Sequence, residues 1–167
     1  MELLVIRHAI AEDKEAYAAS GRDDALRPLT ARGARRMRRA ARGLRELVGA
    51  IDVLVTSPLT RANQTAEIVR RAYKLDGIET APALQPSAPL DDVVAWLSRF
   101  ETGVVGIVGH EPQLGRLVTC LLTGWDGSAV ELKKGAACLI EFDERPAVGK
   151  GRLIWALPPR ALRSLAG

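Results

Sequence analysis

Three features of the sequence predict a layered α/β domain with a mainly parallel central sheet. Short apolar runs alternate with stretches of helical periodicity, and each run ends in polar or turn residues. The third feature is length, since 167 residues make one domain, spanning 1–167, large enough to bury a sizeable core without a disulfide scaffold. The elements follow in order. Glu2 to Ile6 is an apolar run bounded by charge, which predicts a buried strand that delivers Arg7 and His8 to a rim. A polar stretch runs from Ala11 to about Leu29. Thr30 can then cap a helix over about Ala31 to Val48, with Ala34, Met37, Ala41, Leu44 and Val48 on one face. Ile51 to Thr56 is a second buried strand, closed by Ser57 and Pro58, and a helix follows over about Leu59 to Tyr73. Glu79 to Leu84 reads as a third strand, and Leu90 to Phe100 as a helix after the turn QPSAP. Val104 to Val108 is a fourth strand, followed by Gly109, His110 and a helix over about Pro112 to Leu122. Ala137 to Phe142 and Arg152 to Leu157 read as a closing pair of strands joined by a loop with Pro and Gly.

Composition narrows the function classes. With 47% hydrophobic and 26% charged residues the chain is of ordinary globular type, neither disordered nor membrane-spanning. The net charge is +4, but Ala31 to Val48 carries seven Arg against one Glu, so the remainder holds 17 basic and 19 acidic side chains, a net of −2. Basicity is therefore local. Clustered arginine invites a nucleic-acid reading, yet the arginines scatter around the polar arc of the helix, aromatics are 4% of the chain, and no stacking motif occurs. A solvated face is the default, and a docking surface for an acidic partner is a further reading. Cys120 and Cys138 sit in apolar runs and read as core hydrophobes; neither begins a C-x5-R loop, which excludes a cysteine-based phosphatase. Two isolated histidines and no Cys/His cluster lead us to expect no metal and no other cofactor. The amino terminus lacks a basic n-region and its apolar run ends at Arg7, so a cytoplasmic chain, monomeric and without membrane contact, is expected.

In parallel sheets, sites lie at the carboxyl ends of the strands. Here those ends carry Arg7 and His8, Ser57 with Arg61 one helical turn on, and His110. Both histidines of the chain thus fall on one predicted rim. A neutral imidazole can attack phosphorus and form a covalent phosphoryl intermediate. Neighbouring cations keep the ring neutral, and the same cations bind phosphoryl oxygens.

Four segments carry a family resemblance. They are Val5-Ile6-Arg7-His8-Ala9; Arg27-Pro28-Leu29-Thr30 with Gly33; Ser57-Pro58-Leu59-Thr60-Arg61-Ala62 with Thr65; and Val108-Gly109-His110-Glu111-Pro112 with Leu114-Gly115. In this order they resemble the motifs of the histidine phosphatase superfamily, and specifically its small SixA-like branch of phosphohistidine phosphatases. The resemblance implies a phosphoglycerate mutase-like three-layer sandwich without a lid subdomain. It also implies that His8 is the nucleophile, that Arg7 and Arg61 bind phosphate, and that His110 donates to a phosphoryl oxygen. Arg27 matches an arginine near the pocket in the small branch. For the general acid the candidates are Glu12, Asp24 and Glu111, with Asp24 favoured by its position three residues before Arg27; Glu12 and Glu111 otherwise read as supporting or solvent groups.

The resemblance further implies hydrolysis of phosphohistidine in a phosphotransfer or phosphocarrier protein, because a pocket without a lid suits a protein substrate. An imidazole also leaves phosphorus with a reference pKa of roughly 6.5, against ~15.7 for water, so it needs little help from an acid. The alternatives are a phosphatase or mutase for a small phosphate ester, and a non-catalytic module binding phosphate or nucleic acid. Lys133 and Lys134 read as a polar loop, with a substrate role as a minority reading.

Overall fold

The computed structural model describes residues 1–167. Its elements are β1 (Glu2–Arg7), α1 (Lys14–Ala19), α2 (Ala31–Leu47), β2 (Val53–Thr56), α3 (Thr60–Tyr73), β3 (Glu79–Thr80), α4 (Leu90–Leu97), β4 (Val104–Gly109), α5 (Gln113–Thr123), β5 (Ala137–Glu141), β6 (Arg152–Leu157) and α6 (Pro159–Ser164). The sheet order is β3-β2-β4-β1-β5-β6. The first four strands in that order are mutually parallel, and β5 and β6 close the sheet antiparallel, as the alternation of runs and helices predicts.

Continuous apolar strands bury both faces of the sheet. In β1, Leu3 and Val5 point to one side with Val55, Val105, Ile107, Cys138 and Ile140, where α4 and α5 cover them. Leu4 and Ile6 point to the other side with Leu54, Val108 and Leu139, under α2 and α3. Three layers result. Cys120 and Cys138 are buried and unpaired in the first of these cores. No helix is long and apolar enough to cross a membrane.

Capping sets the start of α2. Thr30 accepts the Gly33 N–H at 2.9 Å, and Gly33 has no side chain because a Cβ there would collide with the Ile10 carbonyl. The chain just after β1 can therefore lie directly against the first turn of α2.

Some boundaries differ from the sequence reading. The third strand is only two residues long, since Pro82 has no N–H for a ladder and Pro82–Leu84 turns instead as a 3-10 helix. Helix α4 stops at Leu97, not Phe100. The polar stretch after β1 contains α1, capped by Asp13, and a 3-10 turn over Asp24–Leu26. Helix α6, begun by Pro158 and Pro159, was outside the sequence expectation altogether.

Parallel register brings the strand ends level. Arg7 lies opposite Gly109 and Thr56 opposite Val108, so the residues that follow, His8, His110 and Ser57, emerge on one edge. The ladder runs one step further through His8 N–H to the Gly109 carbonyl and Ser57 N–H to the Val108 carbonyl, both at 3.0 Å. On the antiparallel side, Gly135 donates its N–H to the Arg7 and His8 carbonyls at 3.2 and 3.1 Å, which carries Lys133 and Lys134 to the same edge.

Candidate active site

His8 follows β1 and is 5% exposed. Its Nδ1 lies 2.7 Å from the Ala9 carbonyl oxygen, an obligate acceptor, so Nδ1 carries the ring proton and Nε2 keeps a lone pair. Burial first, then the charges of Arg61, Arg7 and Lys134, push its pKa down to about 4 against the opposing pull of the Ala9 carbonyl. The ring is neutral at pH 7. The loop that bears it is pinned by α3, whose Thr65 accepts the Ala9 N–H at 3.0 Å and donates to the Arg61 carbonyl at 2.7 Å. That contact explains why a threonine sits four residues after Arg61.

Arg61 stands in the first turn of α3 and is 5% exposed. Its Nη1 donates to the Asp24 carbonyl at 2.9 Å, and its Nη2 lies 3.1 Å from Asp24 Oδ2. Arg27 is equally buried. Its Nε donates to Asp24 Oδ1 at 2.7 Å and its Nη1 to the Glu12 carbonyl at 2.7 Å. One carboxylate thus spans two guanidiniums. Partial burial of Asp24 works against ionisation, but hydrogen bonds and charge from Arg27 and Arg61 outweigh it and hold the carboxyl below its usual range. An ionised Asp24 has no proton to give at neutral pH, and its contacts hold Arg27 and Arg61 in place.

His110 follows β4, 2% exposed, with its ring centroid 5.1 Å from that of His8. Its Nε2 is 2.8 Å from Ser57 Oγ. Ser57 Oγ takes the Leu59 N–H at 3.4 Å and can face His110 as donor or acceptor; when it donates, the imidazole proton sits on Nδ1. Burial, then the His8 ring and Arg61, push the His110 pKa down to about 3. His110 Nδ1, Arg7 Nε and Arg61 Nε are buried without a hydrogen-bond partner. Buried nitrogens of this kind are costly unless something accepts from them.

Arg7 is held from a distance. Its Nη1 donates to the Leu132 carbonyl at 2.6 Å, and the Leu132 N–H donates to Glu111 Oε1 at 2.9 Å. Glu111 Oε2 accepts the Gly115 N–H at 3.2 Å. Both oxygens of Glu111 therefore accept from backbone and tie down the segment that holds Arg7, whose charge Glu111 also feels. The Glu12 side chain is exposed and contributes only its carbonyl. No group of three or more His, Cys, Asp or Glu is placed to hold a metal ion. Lys134 was read as loop; its charge reaches His8, a proximity that only the β1–β5 pairing creates. The Leu132 carbonyl carries no sequence signal at all.

The histidine phosphatase superfamily (branch 1) profile matches residues 3–86, and a phosphohistidine phosphatase SixA of Escherichia coli (strain K12) is 30% identical over 167 residues, covering 98% of this chain and 97% of that one. The chain belongs to the histidine phosphatase superfamily. An uncharacterized protein of Picosynechococcus is 37% identical over 137 residues, which cover 80% of this chain and 81% of its own length. Among solved structures, the protein histidine phosphatase SixA complexed with tungstate superposes with a TM-score of 0.83 at 28% identity, covering 97% of this chain and 99% of that one.

As a histidine phosphatase the chain has no lid. Residues 74–103, between α3 and β4, hold β3, the 3-10 turn and α4, and their apolar side chains Leu84, Leu90, Val93 and Leu97 pack into the core beneath the sheet.

Proposed function

We propose that this histidine phosphatase removes the phosphoryl group from phosphohistidine in a phosphotransfer or phosphocarrier protein, through a covalent intermediate on His8. The observation that carries the reading is the 2.7 Å contact of His8 Nδ1 with the Ala9 carbonyl, which leaves the lone pair on Nε2 of a ring that feels the charges of Arg61 and Arg7 and lies 5.1 Å from the His110 ring. The E. coli relative named for phosphohistidine and the relative bound to tungstate, a tetrahedral oxyanion, support the same assignment.

In the first step His8 Nε2 attacks phosphorus in line, a P–N bond forms, and the P–N bond to the substrate imidazole breaks, that ring leaving as neutral imidazole because its other nitrogen already carries a proton. Arg7, Arg61 and Arg27, with the Nδ1 proton of His110, bind the equatorial oxygens as charge moves. In the second step the oxygen of a water forms a P–O bond, the P–N bond to His8 breaks, and the water proton leaves with the product phosphate. Asp24 serves by holding Arg27 and Arg61 through one carboxylate. A histidine leaving group tolerates an active site with no dedicated acid, whereas an alkoxide does not.

His8→Ala is expected to abolish turnover of phosphohistidine proteins, measured by release of inorganic phosphate. Rapid quenching of wild type should trap an acid-labile phosphoryl group on His8; full activity of the variant, or a phosphoryl group mapped to another residue, overturns the mechanism. Preference for small esters such as p-nitrophenyl phosphate over every phosphohistidine protein overturns the substrate class.

A further inference from the structure

The chemistry above leaves one charge cluster unused. Where the first half of α2 meets α6 and the turn before β5 lies a cavity of about 180 Å³, lined by Arg36, Lys133, Lys134, Arg160 and Arg163 and by no carboxylate. None of these five cations takes part in a salt bridge within the chain. Their proximity is felt. Partial burial, then Arg36, Arg39 and Arg160, lower the pKa of Arg163. Five cations around one small cavity repel one another, and an anion seated among them reverses that repulsion.

Position says which anion. Ala9 and Gly135 form part of the wall, Ala9 is the residue after His8, and Gly135 donates to the His8 carbonyl. The cavity therefore borders the backbone that carries His8, beside the rim to which a substrate brings its phosphoryl group. No aromatic side chain lines it, so it lacks the stacking platform of a single-stranded nucleic-acid groove. We propose that this cavity receives acidic side chains of the phosphorylated protein substrate, flanking its phosphohistidine. The inference rests on the phosphohistidine reading of the site and adds the charge character of the substrate. It also gives Arg36 and Arg39 of α2 a use: beside Arg163 they extend the same positive field and steer an acidic surface toward the cavity.

The test uses two phosphohistidine peptides of equal length, one with three Glu beside the phosphorylated residue and one with three Gln. Wild type should hydrolyse the Glu peptide with about tenfold higher kcat/KM, carried by KM, which is the yield of two partly exposed ion pairs. In R160E/R163E the ratio should fall to unity or invert, and in wild type it should collapse with added NaCl. The salt titration requires no variant and so decides the matter if R160E/R163E does not fold. Equal kcat/KM for the two peptides in wild type overturns the proposal. If wild type hydrolyses neither peptide, the phosphohistidine reading has failed, and fluorescence titration of the unphosphorylated peptides decides on the cavity alone. Tighter, salt-sensitive binding of the Glu peptide that R160E/R163E loses supports acidic docking; equal binding overturns it. Tighter capture of a single-stranded RNA oligonucleotide than of the Glu peptide, lost in the same variant, also overturns it and assigns the cavity to nucleic acid.

Discussion

Asp24 is where residue types and residue roles part company. A carboxylate three residues before Arg27 reads from sequence as a proton donor, and the fold pairs it with two arginines, a contact that suits an anchor. The two roles predict different kinetics. As an anchor, Asp24→Asn should lower kcat/KM about tenfold, the low end for a lost charge-assisted hydrogen bond, and by the same factor for phosphohistidine and for an alkyl phosphate. As an acid, it would hurt the alkyl phosphate far more and remove the basic limb of the pH profile. Steady-state kinetics on the two substrates across pH separate these outcomes, and a selective loss on the alkyl phosphate returns Asp24 to the acid role. Such residue-level detail was only half legible. Arg7, His8, Arg61 and His110 could be placed on one rim because strand ends in a parallel sheet are level, a rule that needs no coordinates. The arm of the Asp24 bridge that reaches Arg61, the Leu132 carbonyl on Arg7 and the charge of Lys134 at His8 arise from contacts between segments far apart in sequence, and no local pattern encodes them.

Elements were legible in proportion to how much they bury. The 17-residue α2 and the buried strands announce themselves by periodicity, whereas α1 buries only Tyr17 and α6 only Leu162, too little to leave a pattern in the sequence. Yet α6 docks tightly. A Cβ on Gly43 of α2 would collide with the Leu162 carbonyl, so the glycine is what lets the two helices touch and brings Arg160 and Arg163 beside Arg36. Alanine is the better helix former by ~1 kcal/mol, but at Gly43 overpacking of about 1–3 kcal/mol should outweigh it and leave a net loss of up to about 2 kcal/mol. Thermal unfolding checks this, at about 2–4 °C for each kcal/mol in a chain of this size. Gly49→Ala, which meets open space, serves as the neutral reference. An unchanged Tm in Gly43→Ala would mean that α6 shifts freely and does not hold its arginines in place.

At the scale of the whole molecule, the two buried histidines couple the site to global stability. Their pKa values are about 4 and about 3 when folded, against 6.5 for a free imidazole, so the unfolded chain binds more protons than the folded one between those values and 6.5. Stability therefore rises with pH across that window and is level above it. From pH 8 down to pH 5 each histidine should cost ~2 kcal/mol, because the unfolded ring gains its proton while the folded ring stays neutral. Glu111, whose carboxyl is raised by burial against the pull of its two backbone hydrogen bonds, works in the opposite sense, and a variant comparison isolates the histidine share. Denaturant midpoints should fall between pH 8 and pH 5 in wild type and change far less in H8N/H110N. With only two histidines in the chain, imidazole NMR resonances report each ring directly, and both should stay unprotonated in the folded protein down to pH 5. Titration of either ring near 6.5 would show that the rim leaves its histidines solvated, and the neutral nucleophile would then owe nothing to burial.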